Sequence, residues 1–107
     1  MIASLPFAPQ IVLATLEHFS QRYPELIGDY GFTCSLNPTF RGALPISGRA
    51  TPSGWLSSNY FGLNQGPNVL MIENYRSEFT WRLMQRCAYL VTGLRRAGFV
   101  SGWLGET

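Results

Sequence analysis

At 107 residues, with 46% hydrophobic and 14% aromatic content, the chain has the composition of one small folded domain rather than of a disordered segment. Its eight basic residues, all arginine, and six acids give a net charge of +2, too small an excess for the electrostatic footprint of a nucleic-acid-binding surface. A single histidine, His18, and two cysteines without ligand spacing, Cys34 and Cys87, exclude a histidine-based metal cluster and call for no cofactor.

The amino terminus, Met1 to Phe7, lacks the basic start and long apolar run of a signal peptide, since Pro6 and Pro9 interrupt it, and no stretch reaches transmembrane length. Read literally, the chain has no membrane partner and stays in the cytoplasm; as a piece of a longer protein it would be periplasmic or secreted, with its targeting information upstream. Pro9 suits the first turn of a helix, and Val12, Leu16 and Phe19 come after it at spacings of four and three. Glu17, Gln21 and Arg22 supply the wet side, and Pro24 marks the end.

From Glu25 to Asn59 the chain becomes rich in glycine and proline, with Gly28, Gly31, Pro38, Gly42, Pro45, Gly48, Pro52 and Gly54 interleaved with Tyr30, Phe32, Phe40 and Trp55. The expectation is one long irregular segment, ordered by its aromatic rings. Those rings either pin the loop to a core or face a ligand. Cys34 falls here and Cys87 in a helical pattern; they read as two unpaired thiols, with a disulfide left open.

Asn64-Gln65-Gly66-Pro67 predicts a helix start, with Pro67 at the first helical position and Gly66 or Asn64 as cap. The next four residues, Val69-Leu70-Met71-Ile72, are apolar on every face, the mark of a helix buried on all sides. Few other elements remain to bury it. A chain near this length buries only about two-thirds of its unfolded surface, so the run predicts either further helices outside this sequence or self-association through exposed apolar surface. Ser77 predicts the cap of a last helical region with a stripe of Phe79, Leu83, Cys87, Leu90 and Leu94, in one helix or in two broken near Cys87 and Ala88. Arg82, Arg86, Arg95 and Arg96 form its solvated face. Gly98 suits a left-handed stop, and Phe99 the apolar contact that accompanies it.

The run Tyr60-Phe61-Gly62-Leu63-Asn64-Gln65-Gly66-Pro67-Asn68-Val69-Leu70-Met71-Ile72-Glu73-Asn74-Tyr75-Arg76, with Trp81 beyond it, resembles the signature near the end of glycoamylase-like domains, including the bacterial endo-β-1,2-glucanases of glycoside hydrolase family 144. Leu5-Pro6-Phe7-Ala8-Pro9, Tyr30-Gly31-Phe32 before Asn37-Pro38, and Gly93-Leu94-Arg95-Arg96 before Gly98-Phe99 extend the match in order over most of the chain. The resemblance implies an all-α fold: a partial (α/α)6 toroid of about three to four helices plus the long aromatic loop, with residues 1–107 as its carboxy-terminal part. It also implies a glucan or oligosaccharide as the partner of the complete toroid.

Hydrolysis of a glycosidic bond needs two carboxyl groups across it, and the supply here is thin. Glu17 and Glu78 hold ordinary helix positions, Glu25 comes after a proline, Glu106 is terminal, and Asp29 suits a turn. Glu73 remains as the one weak catalytic candidate, with an ion pair or hydrogen bond to Arg76 or the backbone as its plainer reading. The resemblance places the catalytic acids upstream of this chain, so the expected state is a glycoside hydrolase fragment inactive alone. The alternative is a non-enzymatic helical interaction module or a degenerate gene product. Where the family pattern often has an acid, this chain has Cys34, and where it has Asp-Gln-Gly-Pro this chain has Asn64 first. The candidate substrate contacts are Tyr60, Asn64, Gln65, Trp55 and Arg76, whose amide, guanidinium and aromatic groups suit sugar hydroxyls and ring faces. Asn64 and Gln65 serve equally as caps of the helix they begin.

Overall fold

The computed structural model of the chain describes residues 1–42 and 47–105; Pro45 and Glu106 lie outside them. The described residues form two compact units, Met1–Ile72 and Glu73–Thr107. The first opens with a single 3-10 turn, Ile2–Ser4, then helix α1, Pro9–Arg22, with Pro9 in its first turn, and a second 3-10 turn, Pro24–Leu26. Val12 is the buried residue of α1, and with Leu5 and Leu26 from the flanking turns it makes an apolar core.

The expected all-α fold is corrected here, because the segment after α1 contains regular strands. Five short strands, β1 Ile27–Gly28, β2 Gly31–Phe32, β3 Leu36–Asn37, β4 Arg49–Thr51 and β5 Gly54–Leu56, form two antiparallel sheets, so the chain is mixed α/β. In the first sheet β1 pairs β2 around a two-residue turn, Asp29-Tyr30, with Gly31 at φ 88°. In the second the order is β3-β5-β4. Its β4–β5 turn is tied by Thr51, whose hydroxyl oxygen accepts the Ser53 amide (3.2 Å) and whose hydroxyl donates to the Gly54 carbonyl (3.1 Å).

Gly54 is buried at φ 110°, and a Cβ there would collide with the Asn37 carbonyl and the Pro38 backbone; only glycine lets β5 approach β3 so closely. Leu56, fully buried, anchors this sheet. The Glu25 carboxylate accepts the Ser53 hydroxyl (3.2 Å) and the Glu25 carbonyl accepts Arg49 (2.7 Å), which clamps the β4–β5 hairpin to the second 3-10 turn.

Helix α2 spans Gly62–Ser77 and begins five residues before the expected start. The Phe61 carbonyl accepts the amides of both Asn64 (2.9 Å) and Gln65 (3.0 Å), which closes a first turn upstream of Pro67 and leaves the proline inside the helix. The boundary between the units falls within α2, after Ile72. Val69 is 65% and Leu70 49% exposed, so the apolar run is not covered by the described residues.

In the second unit α2 ends at a corner and the last helical region divides into α3, Phe79–Gln85, and α4, Ala88–Arg96. The α4 terminus is a Schellman arrangement: Phe99 donates to Leu94 (3.1 Å) and Gly98, at φ 90°, to Arg95 (3.0 Å). No helix is long and apolar enough to cross a membrane among the described residues.

Candidate functional site

The stretch Gly31–Asn37 ties the two sheets of the first unit together. Phe32 pairs across to β1, Thr33 donates its amide to Leu26 (2.9 Å), Cys34 to Asn59 (3.1 Å), Ser35 accepts from Ser57 (3.0 Å), and Leu36 pairs with β5. Each of these residues thus finds a backbone partner although no strand among the described residues is longer than three. Such a stretch is a firm wall.

The first turn of α2 fastens to that wall through two neighbouring amides. The Gln65 side chain donates to the Phe32 carbonyl (3.0 Å), and that of Asn64 to the Cys34 sulfur (3.2 Å). Cys34 and Asn64 therefore touch. Both cysteines are free thiols.

Between wall and helix lies a cavity of about 680 Å³, within the range of small-molecule sites. Phe19, Tyr23 and Phe32 contribute its aromatic lining, with the Phe19 and Tyr23 rings 5.7 Å apart. Asn64, Gln65 and Asn68 are its amide-bearing residues, and no carboxylate or guanidinium belongs to the described lining. Amide groups together with aromatic rings suit a hydroxyl-rich ligand with an apolar ring face.

Thr33 joins this lining without any signal in the sequence. Its hydroxyl oxygen is covered and has no hydrogen-bond partner among the described residues. A lone threonine between Phe32 and Cys34 carries no pattern that would single it out.

The other expected contacts lie elsewhere. Tyr60 packs its ring edge-on against Tyr30 (5.4 Å), with its hydroxyl over the α-carbon of Gly28, where a side chain would collide with it. Trp55 donates its indole N–H to Ser47 (3.1 Å) and lines a separate hollow of about 270 Å³ with Phe40 and Arg41. The Arg41 guanidinium is held by the Pro38 and Phe40 carbonyls (2.9 Å each). Asp29 occupies the tip of the β1–β2 turn, and Glu25 the clamp described above.

Glu73 and Arg76 belong to the second unit. They form an ion pair at 3.6 Å, one helical turn apart, and the Glu73 carboxylate also accepts the Ser77 hydroxyl (2.5 Å). Among the described residues no group of three or more His, Cys, Asp or Glu side chains gathers as a metal site would require.

Comparisons with known proteins point to one class, a glycoside hydrolase-like segment. The family model described as putative glucoamylase matches residues 1–88, and the chain belongs to that glycoamylase family. A curated relative is the exo-β-1,2-glucooligosaccharide sophorohydrolase (non-reducing end) of Parabacteroides distasonis, 28% identical over 96 residues. That alignment covers 89% of this chain but 12% of the relative, so the chain spans about an eighth of the length of the enzyme it resembles. No solved structure matches it significantly.

Proposed function

We propose that the chain is the carboxy-terminal segment of a glycoside hydrolase acting on a β-1,2-linked glucooligosaccharide, and that its share of the work is to bind sugar rather than to cleave it. The observation that carries this reading is the pair Asn64 and Gln65, side by side on the first turn of α2 and lining a cavity with aromatic rings and no carboxylate or guanidinium. Each amide has one N–H engaged with the wall, which fixes its direction and leaves its carbonyl oxygen to accept a sugar hydroxyl. Phe19, Tyr23 or Phe32 offers the flat surface for a ring face. Membership of the glycoamylase family and the substrate named for the relative support the choice of ligand. The catalytic carboxyls belong, on this reading, to the remainder of a longer body, which would also cover Val69 and Leu70.

A second reading rests on the same exposed residues. With Val69 65% exposed, α2 would serve as a protein-interaction helix, covered by another protein or by a second copy of this chain.

Titration with a β-1,2-linked glucooligosaccharide, monitored through the side-chain amide signals of Asn64 and Gln65 in a nuclear magnetic resonance spectrum, separates the two. The expected outcome is saturable movement of both signals, abolished in Gln65→Ala. Signals that stay put at saturating sugar, in a chain that forms dimers, would replace the first reading with the second.

A further inference from the structure

We infer that Asn68 is a specificity-determining contact of the cavity, its side-chain amide meeting one sugar hydroxyl as donor and another as acceptor. This rests on the carbohydrate reading of the site. Helix α2 lines the cavity with Leu63, Asn64, Gln65, Pro67 and Asn68, while Gly66, Val69 and Leu70 stay out of the lining. Positions three and four apart share a face of a helix, so Asn68 stands one turn beyond Gln65 and Asn64 on the face turned to the cavity. It is half-buried there, whereas its neighbour Val69 is 65% exposed.

The three amides on this face are not equivalent. Gln65 gives an N–H to the Phe32 carbonyl and Asn64 gives one to the Cys34 sulfur, so both hold the helix to the wall. Asn68 makes no side-chain hydrogen bond to any of the described residues, and the fold of the first unit does not depend on its amide. Asparagine is also a weaker helix former than alanine, so inside α2 it costs the helix some stability. What it brings to the cavity is a carbonyl acceptor and an NH2 donor on one plane. Each sugar hydroxyl is both donor and acceptor, so one hydroxyl can give to the Asn68 oxygen while the next takes from its nitrogen.

A ligand contact and a structural asparagine respond differently to substitution. The test compares the full chain with Asn68→Ala, Asn68→Leu and Gln65→Ala, by thermal melting and by titration with a β-1,2-linked glucooligosaccharide. Asn68→Ala is expected to bind about tenfold more weakly, as for the loss of a polar contact. It should melt no lower than the unaltered chain, because alanine is the better helix former. Asn68→Leu, which keeps the bulk without the amide, should bind no better than Asn68→Ala. Gln65→Ala sets the reference for an amide that holds the helix: it should lose binding and melt lower, since the Phe32 carbonyl loses its donor. Binding by either Asn68 variant as tight as that of the unaltered chain overturns the assignment. So does an Asn68→Ala melting temperature that falls together with affinity, the mark of a structural role. Both outcomes leave the carbohydrate reading intact. Absence of binding by the unaltered chain overturns the assignment and the reading together, before any variant is measured.

Discussion

Asn74 is 3% exposed, one of two buried polar residues among those described, and it organises the corner where α2 gives way to α3. Its side-chain oxygen accepts the Trp81 amide (3.0 Å) and its carbonyl accepts the Glu78 amide (2.9 Å). Ser77 accepts the Phe79 amide (3.2 Å), and Glu78 makes the turn itself in the left-handed region at φ 56°. Two side chains thereby serve the N–H groups at the start of α3, but the N-cap residue is Glu78; the expected cap, Ser77, is the last residue of α2 and accepts the Phe79 amide from there. Asn74 is not recognisable in this role from sequence, because its partner lies seven positions away, beyond the reach of any capping pattern.

Replacing Asn74 with alanine takes the side-chain acceptor away from the Trp81 amide, and should lower stability by about 1–3 kcal/mol. Urea denaturation checks this, with Asn74→Asp, which keeps the acceptor, expected to lose less; equal stability of Asn74→Ala and the unaltered chain would remove Asn74 from this role. Within the site the same limit holds. Asn64 and Gln65 stand out in the sequence because amides at a helix start have both capping and ligand chemistry, whereas Phe19 and Tyr23 read as ordinary helix residues until the cavity they line is known.

Helices and strands are unequally legible in this sequence for a physical reason. The stripe of α1, Val12, Leu16 and Phe19, keeps helical spacing over two turns, and α4 is followed by a glycine and an apolar residue whose roles are fixed by cap geometry, so both show in the sequence. The strands are two or three residues long, and alternation needs four or more to be distinguished from chance. These strands are held instead by glycine permitting close approach and by single backbone pairs between distant residues. The start of α2 is hidden for a related reason: Pro67 looks like a first-turn proline, but Phe61 has already closed the turn.

Two glycines measure these different contributions. Gly54→Ala puts a methyl group against the Asn37 carbonyl and imposes a left-handed strain, and should cost about 2 kcal/mol or more, with loss of the β3–β5 pairing. Gly66→Ala, in α2 with open space around it, should stabilise by about 0.5–1 kcal/mol. Melting curves of the two variants check both signs. Equal shifts in the same direction would mean that glycine acts here only through chain entropy and not through the packing of β5 on β3.

At the scale of the whole molecule, the family and the site pull in different directions. Membership of a glycoside hydrolase family predicts bond cleavage, and cleavage needs an acid and a base or nucleophile about 5 to 9.5 Å apart across the scissile bond. The described lining of the cavity supplies amides, hydroxyls and rings but no carboxylate. Glu73 is held by Arg76 and Ser77 in the second unit, and Glu25 is spent on the β4–β5 clamp. The polar groups that remain can orient a sugar, and neutral groups that only orient lower no barrier that requires a proton to move. The chain alone should therefore release no sugar from β-1,2-glucan above a buffer blank, and Glu73→Gln should leave that result unchanged. Release by the unaltered chain that disappears in Glu73→Gln would move a catalytic acid into this segment. Release that survives the substitution would point to Glu25 or Asp29, and to a rearrangement of the first unit that brings one of them to the sugar.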